Sequence, residues 1–347
     1  MRVAIILPRI DQLGPVTVIK NLVNSLSVSE KFKIKVFYFD KDVDQNVKMI
    51  VPVARIDRWN FCFSDYDIIH TSGIRPDLFA FLNRKKIKYH ISTIHNFVFD
   101  DLAFTYNRLI SWIFGSAWLI LWKRADKLVC VSRAMKNYYL KWFPDTKLEV
   151  IYNGIEETDH TFQSDHDLIR SIDRFHSQGL KVLGSAGILT KRKGADQILY
   201  LIAAEKELAL LIIGDGKELA RLIHLSEKLK INERCLFCGF RSNAVSYFRY
   251  FDLFIMPSRS EGFGLTLIEA VQQKVPVICS DIPVFKELFK SEEVTFFKLE
   301  DLTSLTEAIK LAIETGKRKV ELAYSRYLNN YTALLMAKSY YELYRST

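Results

Sequence analysis

No stretch of this 347-residue chain reaches the roughly twenty consecutive apolar residues that a membrane-spanning helix needs. Its first apolar run, Val3 to Leu7, meets Pro8 at once and reads as a buried strand, not a signal peptide. Cysteine is sparse. Cys62, Cys130, Cys235, Cys238 and Cys279 are scattered and odd in number, which argues against a disulfide scaffold and for a reducing compartment. Cys235 and Cys238 make one Cys-x-x-Cys, but no second pair and no nearby histidines complete a zinc site. A strand would also point residues three apart to opposite faces. The seven histidines are dispersed, so no metal site is expected. A dinucleotide-binding turn, Gly-x-Gly-x-x-Gly, is missing after the first strand, where the chain has Asp11-Gln12-Leu13-Gly14-Pro15. That counts against an NAD-dependent enzyme. The net charge of +9 suits nucleic acid, an anionic membrane surface or phosphorylated substrates. The basic residues form no single stripe and no RNA-binding motif occurs, so nucleic acid is not the expected partner.

What is present is enough chain for two domains, each able to bury a core. Apolar runs at Val3–Leu7, Ile34–Phe39, Ile68–His70, His90–Ile94 and Leu128–Val131 alternate with amphipathic stretches. That order predicts a parallel sheet with helices on both faces, and ligands at the carboxyl ends of its strands. The pattern restarts at Val182, with further strands through Leu210–Ile213, Leu236–Arg241, Leu253–Met256 and Val275–Asp281. Between the halves, Glu156 to Gln178 is polar with little apolar periodicity and reads as a linker. The domains are therefore expected at 1–157, with 331–347 packing back on it, and at 179–330, joined by 158–178. Ser304 to Tyr344 has helical spacing throughout.

The stretch that organises the second half is Met256-Pro257-Ser258-Arg259-Ser260-Glu261-Gly262-Phe263-Gly264-Leu265-Thr266-Leu267-Ile268-Glu269-Ala270. A strand, a glycine turn and a helix start together make an anion site, because the first N–H groups of a helix lack internal partners and its dipole favours negative charge. Glu261 and Glu269 bracket the turn. Carboxylates repel phosphate, so they are expected to face hydroxyls. An anion flanked by polyols is a nucleotide sugar.

The Glu261-Gly-Phe-Gly-x-x-x-x-Glu269-Ala270 frame resembles the signature of the retaining glycosyltransferases of family 4, which have the GT-B fold. The resemblance implies two Rossmann-like domains facing an interdomain cleft, with the last helix crossing back to the first domain. It implies that Glu261 contacts the donor sugar and Glu269 the nucleotide ribose. The amides of Gly262, Phe263, Gly264, Leu265 and Thr266 would then hold the diphosphate. Ile188-Leu189-Thr190-Lys191-Arg192-Lys193-Gly194 is similar to the family's phosphate-binding Gly-Arg-Leu-x-x-x-Lys-Gly. Lys193 matches its lysine, while Ile188 stands where the arginine belongs, so either Lys191 or Arg192 compensates or donor affinity is lower. His95, after a strand, resembles the histidine that contacts the transferred sugar, and His70 is a second candidate near the acceptor. Gly14 stands in the loop that faces phosphates or acceptor, and Phe240 and Arg241 where family members surround the base. Val150-Ile151-Tyr152-Asn153-Gly154-Ile155 resembles the segment where these chains leave the first domain.

The expected reaction is metal-independent sugar transfer from a nucleoside diphosphate to a hydroxyl, with no other cofactor. Rival classes on the same fold are a nucleotide-sugar epimerase and a non-catalytic partner of another glycosyltransferase, the latter prompted by Ile188. Leu109 to Trp122 is uncharged, tryptophan-rich and flanked by Arg108, Lys123 and Arg124. It reads either as a core helix or as an interfacial helix resting on lipid head groups through 109–124, with Phe114, Trp118 and Trp122 along one face. A lipid-linked acceptor and a cytoplasmic location at the inner face of the cell membrane are the corresponding expectations.

Overall fold

The computed structural model describes residues 1–11, 14–26, 31–41, 47–157 and 166–347. Its chain divides into one unit of Met1–Glu156 with Asn330–Thr347, and a second of Glu157–Asn329. The first unit is built from β1 (Arg2–Leu7), α1 (Gly14–Leu26), β2 (Lys33–Tyr38), β3 (Val53–Arg55), β4 (Ile68–Ser72), α2 (Ile74–Leu82), β5 (Tyr89–Ile94), α3 (Val98–Ala103), α4 (Arg108–Lys123), β6 (Lys127–Cys130), α5 (Arg133–Tyr139) and β7 (Leu148–Val150). The second has α6 (His166–Ser177), β8 (Lys181–Ala186), α7 (Ala195–Ala204), β9 (Leu208–Ile213), α8 (Leu219–Lys228), β10 (Cys235–Phe237), β11 (Leu253–Met256), α9 (Leu265–Gln272), β12 (Val277–Ser280), α10 (Pro283–Leu288), β13 (Thr295–Phe297) and α11 (Leu302–Asn330). A last helix, α12 (Ala333–Arg345), returns to the first unit.

Both sheets are wholly parallel. The first runs β3-β2-β1-β4-β5-β6-β7 and the second β10-β9-β8-β11-β12-β13. Strands buried on both faces explain the near-continuous apolar runs: Val3 to Leu7 and Leu208 to Ile213 are buried throughout. In each sheet the strand order reverses beside the unit's first strand, between β1 and β4 and between β8 and β11. Such switch points open a crevice at the carboxyl edge, where doubly wound sheets bind ligands.

Two stretches differ from the sequence reading, the linker and α4. The expected linker contains α6, whose Leu168, Ile172 and Phe175 are buried. These fall at i, i+4 and i+7, a narrow stripe diluted by eight polar neighbours in a twelve-residue helix; residues 158–165 lie outside the described residues. The helical run from Ser304 to Tyr344 divides into α11 and α12, close to the expected start of the last helix at Tyr331. It breaks at Tyr331–Thr332, where Thr332 accepts a hydrogen bond from Leu335 N at 3.3 Å and caps α12. The chain leaving β7 meets this break: Ile155 N donates to Tyr331 O and Ala333 N donates to Ile155 O.

The second difference concerns α4. Trp118 and Trp122 do not share an outer face with Phe114. Both indoles donate to one carboxylate oxygen of buried Asp77, at 2.8 and 2.9 Å, because a buried N–H needs a partner. The outward side carries Leu109, Trp112, Ile113 and Ile120, at i, i+3, i+4 and i+11, with Phe114 beside them. No acidic residue occurs in this helix. None of the described helices is long and apolar enough to cross a membrane.

Candidate active site

The switch point of the second sheet brings two loops together. After β8 the chain passes Ile188, turns through a 3-10 segment Lys191–Lys193, and enters α7 at Gly194. After β11 it runs Pro257 to Gly264 and enters α9. The backbones nearly touch. A Cβ on Gly194 would lie 2.1 Å from Pro257 O, and its φ of +70° is left-handed, so only glycine serves there. Arg259 N donates to Arg192 O at 2.7 Å. The Arg259 guanidinium bonds both Asp196 oxygens, at 3.0 and 2.9 Å, a bidentate pair. Gln197 Nε2 adds a bond to Pro257 O at 2.9 Å.

Inside this frame Glu261 is only 5% exposed and heavily bonded. Lys193 Nζ donates to Oε1 at 2.6 Å, Ser258 Oγ donates to the same oxygen at 2.7 Å, and Arg192 donates to Oε2 at 3.3 Å. Burial works against its charge, yet Lys193 and Arg192 together hold the carboxyl below its ordinary value. A lysine ammonium has three donors and one goes to Glu261. Arg192 also donates to Ser260 O at 2.7 Å, which fixes its guanidinium beside the same carboxylate.

Gly264, with φ +94°, precedes α9 and supplies no side-chain cap. A Cβ there would come within 2.7 Å of the Phe285 ring. The helix thus opens with bare amides at Leu265 and Thr266, the positive end of its dipole. One turn on, half-buried Glu269 has its pKa pushed up to about 7 by burial, with the Lys193 charge pulling the other way. The two glutamates of one motif therefore differ in charge at neutral pH. Glu261 is ionised and Glu269 is about half protonated.

The remaining candidates are spread out. Ile188 is 48% exposed on the β8 loop, so no cation occupies that position. Arg192, not Lys191, reaches the carboxylate; what Lys191 contributes is its carbonyl, to Arg259. Phe240 is 58% exposed in the loop after β10, and Arg241 donates to its carbonyl at 3.1 Å. In the first unit, His95 follows β5, accepts or donates at Ser72 Oγ over 3.0 Å, and is held neutral by burial, at about 4. Gly14 begins α1, half-buried; its neighbours Gln12 and Leu13 lie outside the described residues. His70 is not at a ligand edge. It is fully buried, its two ring nitrogens bonded to Tyr344 OH and Thr93 Oγ1, both at 2.7 Å, so it ties α12 to the sheet. Sequence reading passed over Ser258 and Arg259 although both stand in the motif. Ser258, three residues before Glu261, was the available signal.

Comparison with known proteins agrees with this geometry. A family model described as Glycosyl transferases group 1 matches residues 171–328, and one described as Glycosyltransferase Family 4 matches 13–159. The O-antigen biosynthesis glycosyltransferase WclY of Escherichia coli is 34% identical over 356 aligned positions, covering 100% of this chain and 98% of WclY. The serotype-specific mannosyltransferase WbdA of E. coli is 32% identical over 55% of this chain and 26% of its own. Among solved structures, Anabaena HepE in complex with UDP-glucose superposes with a TM-score of 0.82 at 15% identity, over 100% of both chains. Two wholly parallel doubly wound sheets and full-length similarity to WclY lead to one conclusion: the chain belongs to the family 4 glycosyltransferases of GT-B fold.

Proposed function

We propose that this glycosyltransferase moves a sugar from a nucleoside diphosphate to a hydroxyl with retention of anomeric configuration, as a step in assembling a surface polysaccharide. The observation that carries the donor reading is the Glu261–Lys193–Arg192 cluster set against the bare N-terminus of α9 at a sheet switch point. A departing nucleoside diphosphate gains negative charge as the sugar takes on oxocarbenium character. Lys193, Arg192 and the amides of Gly262 to Thr266 are preorganised donors for that charge, and they require no divalent ion. Glu261, ionised and acceptor-only, suits the sugar hydroxyls. Glu269 suits the ribose, and Phe240 and Arg241 the base. Similarity to WclY supports the polysaccharide setting.

The membrane reading belongs here as well, with a changed set of contacts. Leu109, Trp112, Ile113, Phe114 and Ile120 form an exposed apolar face on a helix that starts at Arg108, ends at Lys123 and is followed by Arg124. Apolar residues between basic ends suit an anionic lipid surface, which places a lipid-linked acceptor within the proposal.

Lys193→Ala should weaken nucleotide binding by about tenfold or more, the scale of one charge-assisted bond. Glu261→Ala should lower turnover while leaving nucleotide affinity largely intact, since it removes no phosphate donor. Calorimetric titration with UDP, GDP and ADP sugars, paired with transfer assays, reads both effects. Wild-type transfer by both variants would overturn the assignment.

A further inference from the structure

We propose that the carboxyl edge of the first sheet carries an anion site built from Arg9, Arg55, Arg58 and Arg75, and that its ligand is a phosphate or diphosphate ester on the acceptor. Only the word acceptor rests on the transferase reading above; the anion site stands on its own geometry.

These arginines come from separate loops that the parallel sheet brings to one edge. Arg9 follows β1, Arg55 ends β3 with Arg58 just beyond, and Arg75 is the second residue of α2, after β4. They converge on Pro8, Phe39 and Asp40. Arg75 donates to Asp40 Oδ1 at 2.6 Å and to Pro8 O at 2.9 Å. Phe39 N donates to the same Pro8 carbonyl at 3.3 Å. Arg55 Nε donates to Phe39 O at 3.4 Å, and the Arg58 guanidinium lies over the Phe39 ring, 4.8 Å from its centroid. The hydrogen bond from Arg75 first, and then the charges of Arg75, Arg9 and Arg55, hold the Asp40 carboxyl below its ordinary value.

Charge is left over. Among the described residues, Asp40 pairs with Arg75 and Asp11 pairs with Arg9, while Arg55 and Arg58 have no carboxylate partner and are exposed. Helices α1 and α2 also begin over this edge and add the positive ends of their dipoles. Four arginines against Asp11, Asp40 and Asp57 leave an excess of about one positive charge among the described residues, and two guanidinium forks without a carboxylate partner suit bidentate recognition of a phosphate or diphosphate ester. The cluster straddles the β1/β4 switch point, the crevice where such sheets take ligands.

Next to Arg58 stands Trp59, 96% exposed. Its turn is braced by Asp57, which accepts from Trp59 N at 3.0 Å and from Asn60 Nδ2 at 2.7 Å. An exposed indole on a braced turn, beside guanidiniums that lack a carboxylate partner, offers a stacking surface for the sugar that bears the phosphate. His95 lies past β5, four strand positions from β3, hence roughly 20 Å along the edge from Arg55 and Arg58. Spanning that distance takes an oligosaccharide. A lipid-linked glycosyl diphosphate and a water-soluble glycosyl phosphate present the same group to these arginines.

The test is calorimetric titration of the full chain with inorganic pyrophosphate and with farnesyl diphosphate. Wild type, Lys193→Ala and the double variant Arg55→Gln with Arg58→Gln are compared. Binding should persist in Lys193→Ala and weaken by at least roughly tenfold in the double variant. A companion Arg55→Lys, Arg58→Lys protein should recover part of it, which separates charge from any folding defect. Tighter binding of farnesyl diphosphate than of pyrophosphate supports the lipid-linked source; equal affinity supports the water-soluble one. No binding to wild type, or binding lost in Lys193→Ala and kept in the double variant, overturns the proposal. UDP binding to the same proteins reads the donor site separately, so failure there leaves this inference standing.

Discussion

At the scale of single residues, the motif's two glutamates divide their labour through environment. Glu261 is buried but meets two cations and a hydroxyl, so it stays ionised. Glu269 is packed into α9 with only a share of Lys193, and burial raises its pKa to about 7. A carboxyl whose folded pKa lies above its ordinary value adds stability at low pH and loses it as pH rises through the folded value. Here that window runs from about 4.5 to about 7. Glu269→Gln should therefore raise the melting temperature at pH 8, where the wild-type carboxylate is ionised against burial, and change it little at pH 4. The difference is up to about 3 kcal/mol by the pKa conversion. Donor turnover should fall in the same variant, the usual opposition between a site's function and its stability. Differential scanning calorimetry across that pH range measures it, and an equal effect at both ends would refute it.

At the scale of elements, what was legible in the sequence is what depends on local pattern. The buried parallel strands, the glycine turn before α9 and the motif that places Glu261 and Glu269 all follow from apolar runs and turn residues close together in the chain. What escaped depends on partners far away. The outer face of α4 could not be read from its own residues, because spacing alone puts Phe114, Trp118 and Trp122 together. Asp77, on α2, decides that two of the three turn inward. His70 likewise looked like an edge residue until α12 supplied Tyr344 from 274 positions away. Helix α6 escaped for a different reason, since three apolar side chains suffice to seat a helix among charged ones. The corrected face of α4 makes the membrane reading sharper. Trp112→Glu with Ile113→Glu should abolish co-flotation with anionic liposomes at low salt, while Trp118→Phe should leave it intact and lower stability by the loss of one indole bond, about 1 kcal/mol. Equal flotation of the glutamate variant and wild type would remove lipid docking from the function.

At the scale of the whole molecule, the two units carry their acid sensitivity in different places. The first buries His70 and His90 and half-buries His95, and their removal from water holds them neutral with pKa values of about 3, 3 and 4. His90 Nδ1 also lacks a hydrogen-bond partner. A histidine whose folded pKa is depressed stabilises the fold above its unfolded value, near 6.5, and that contribution is lost as pH falls below it. Each costs about 1.4 kcal/mol per pH unit, so three together cost about 4 kcal/mol per unit between pH 6 and 4. Asp77, whose burial raises its pKa, works in the opposite direction with a single proton and does not offset three. In the second unit, Glu261 is held below its ordinary value against burial, so its stabilisation is lost only as pH falls below about 4.5. The first unit should thus unfold at a higher pH than the second. The chain supplies its own reporter, because Trp59, Trp112, Trp118, Trp122 and Trp142 all lie in the first unit. Tryptophan fluorescence should change between about pH 6 and 4, ahead of the remaining loss of far-ultraviolet circular dichroism. His90→Gln should move only the fluorescence transition. Coincident transitions by both probes would mean that the units unfold as one body and that the buried histidines do not set the acid limit of the first.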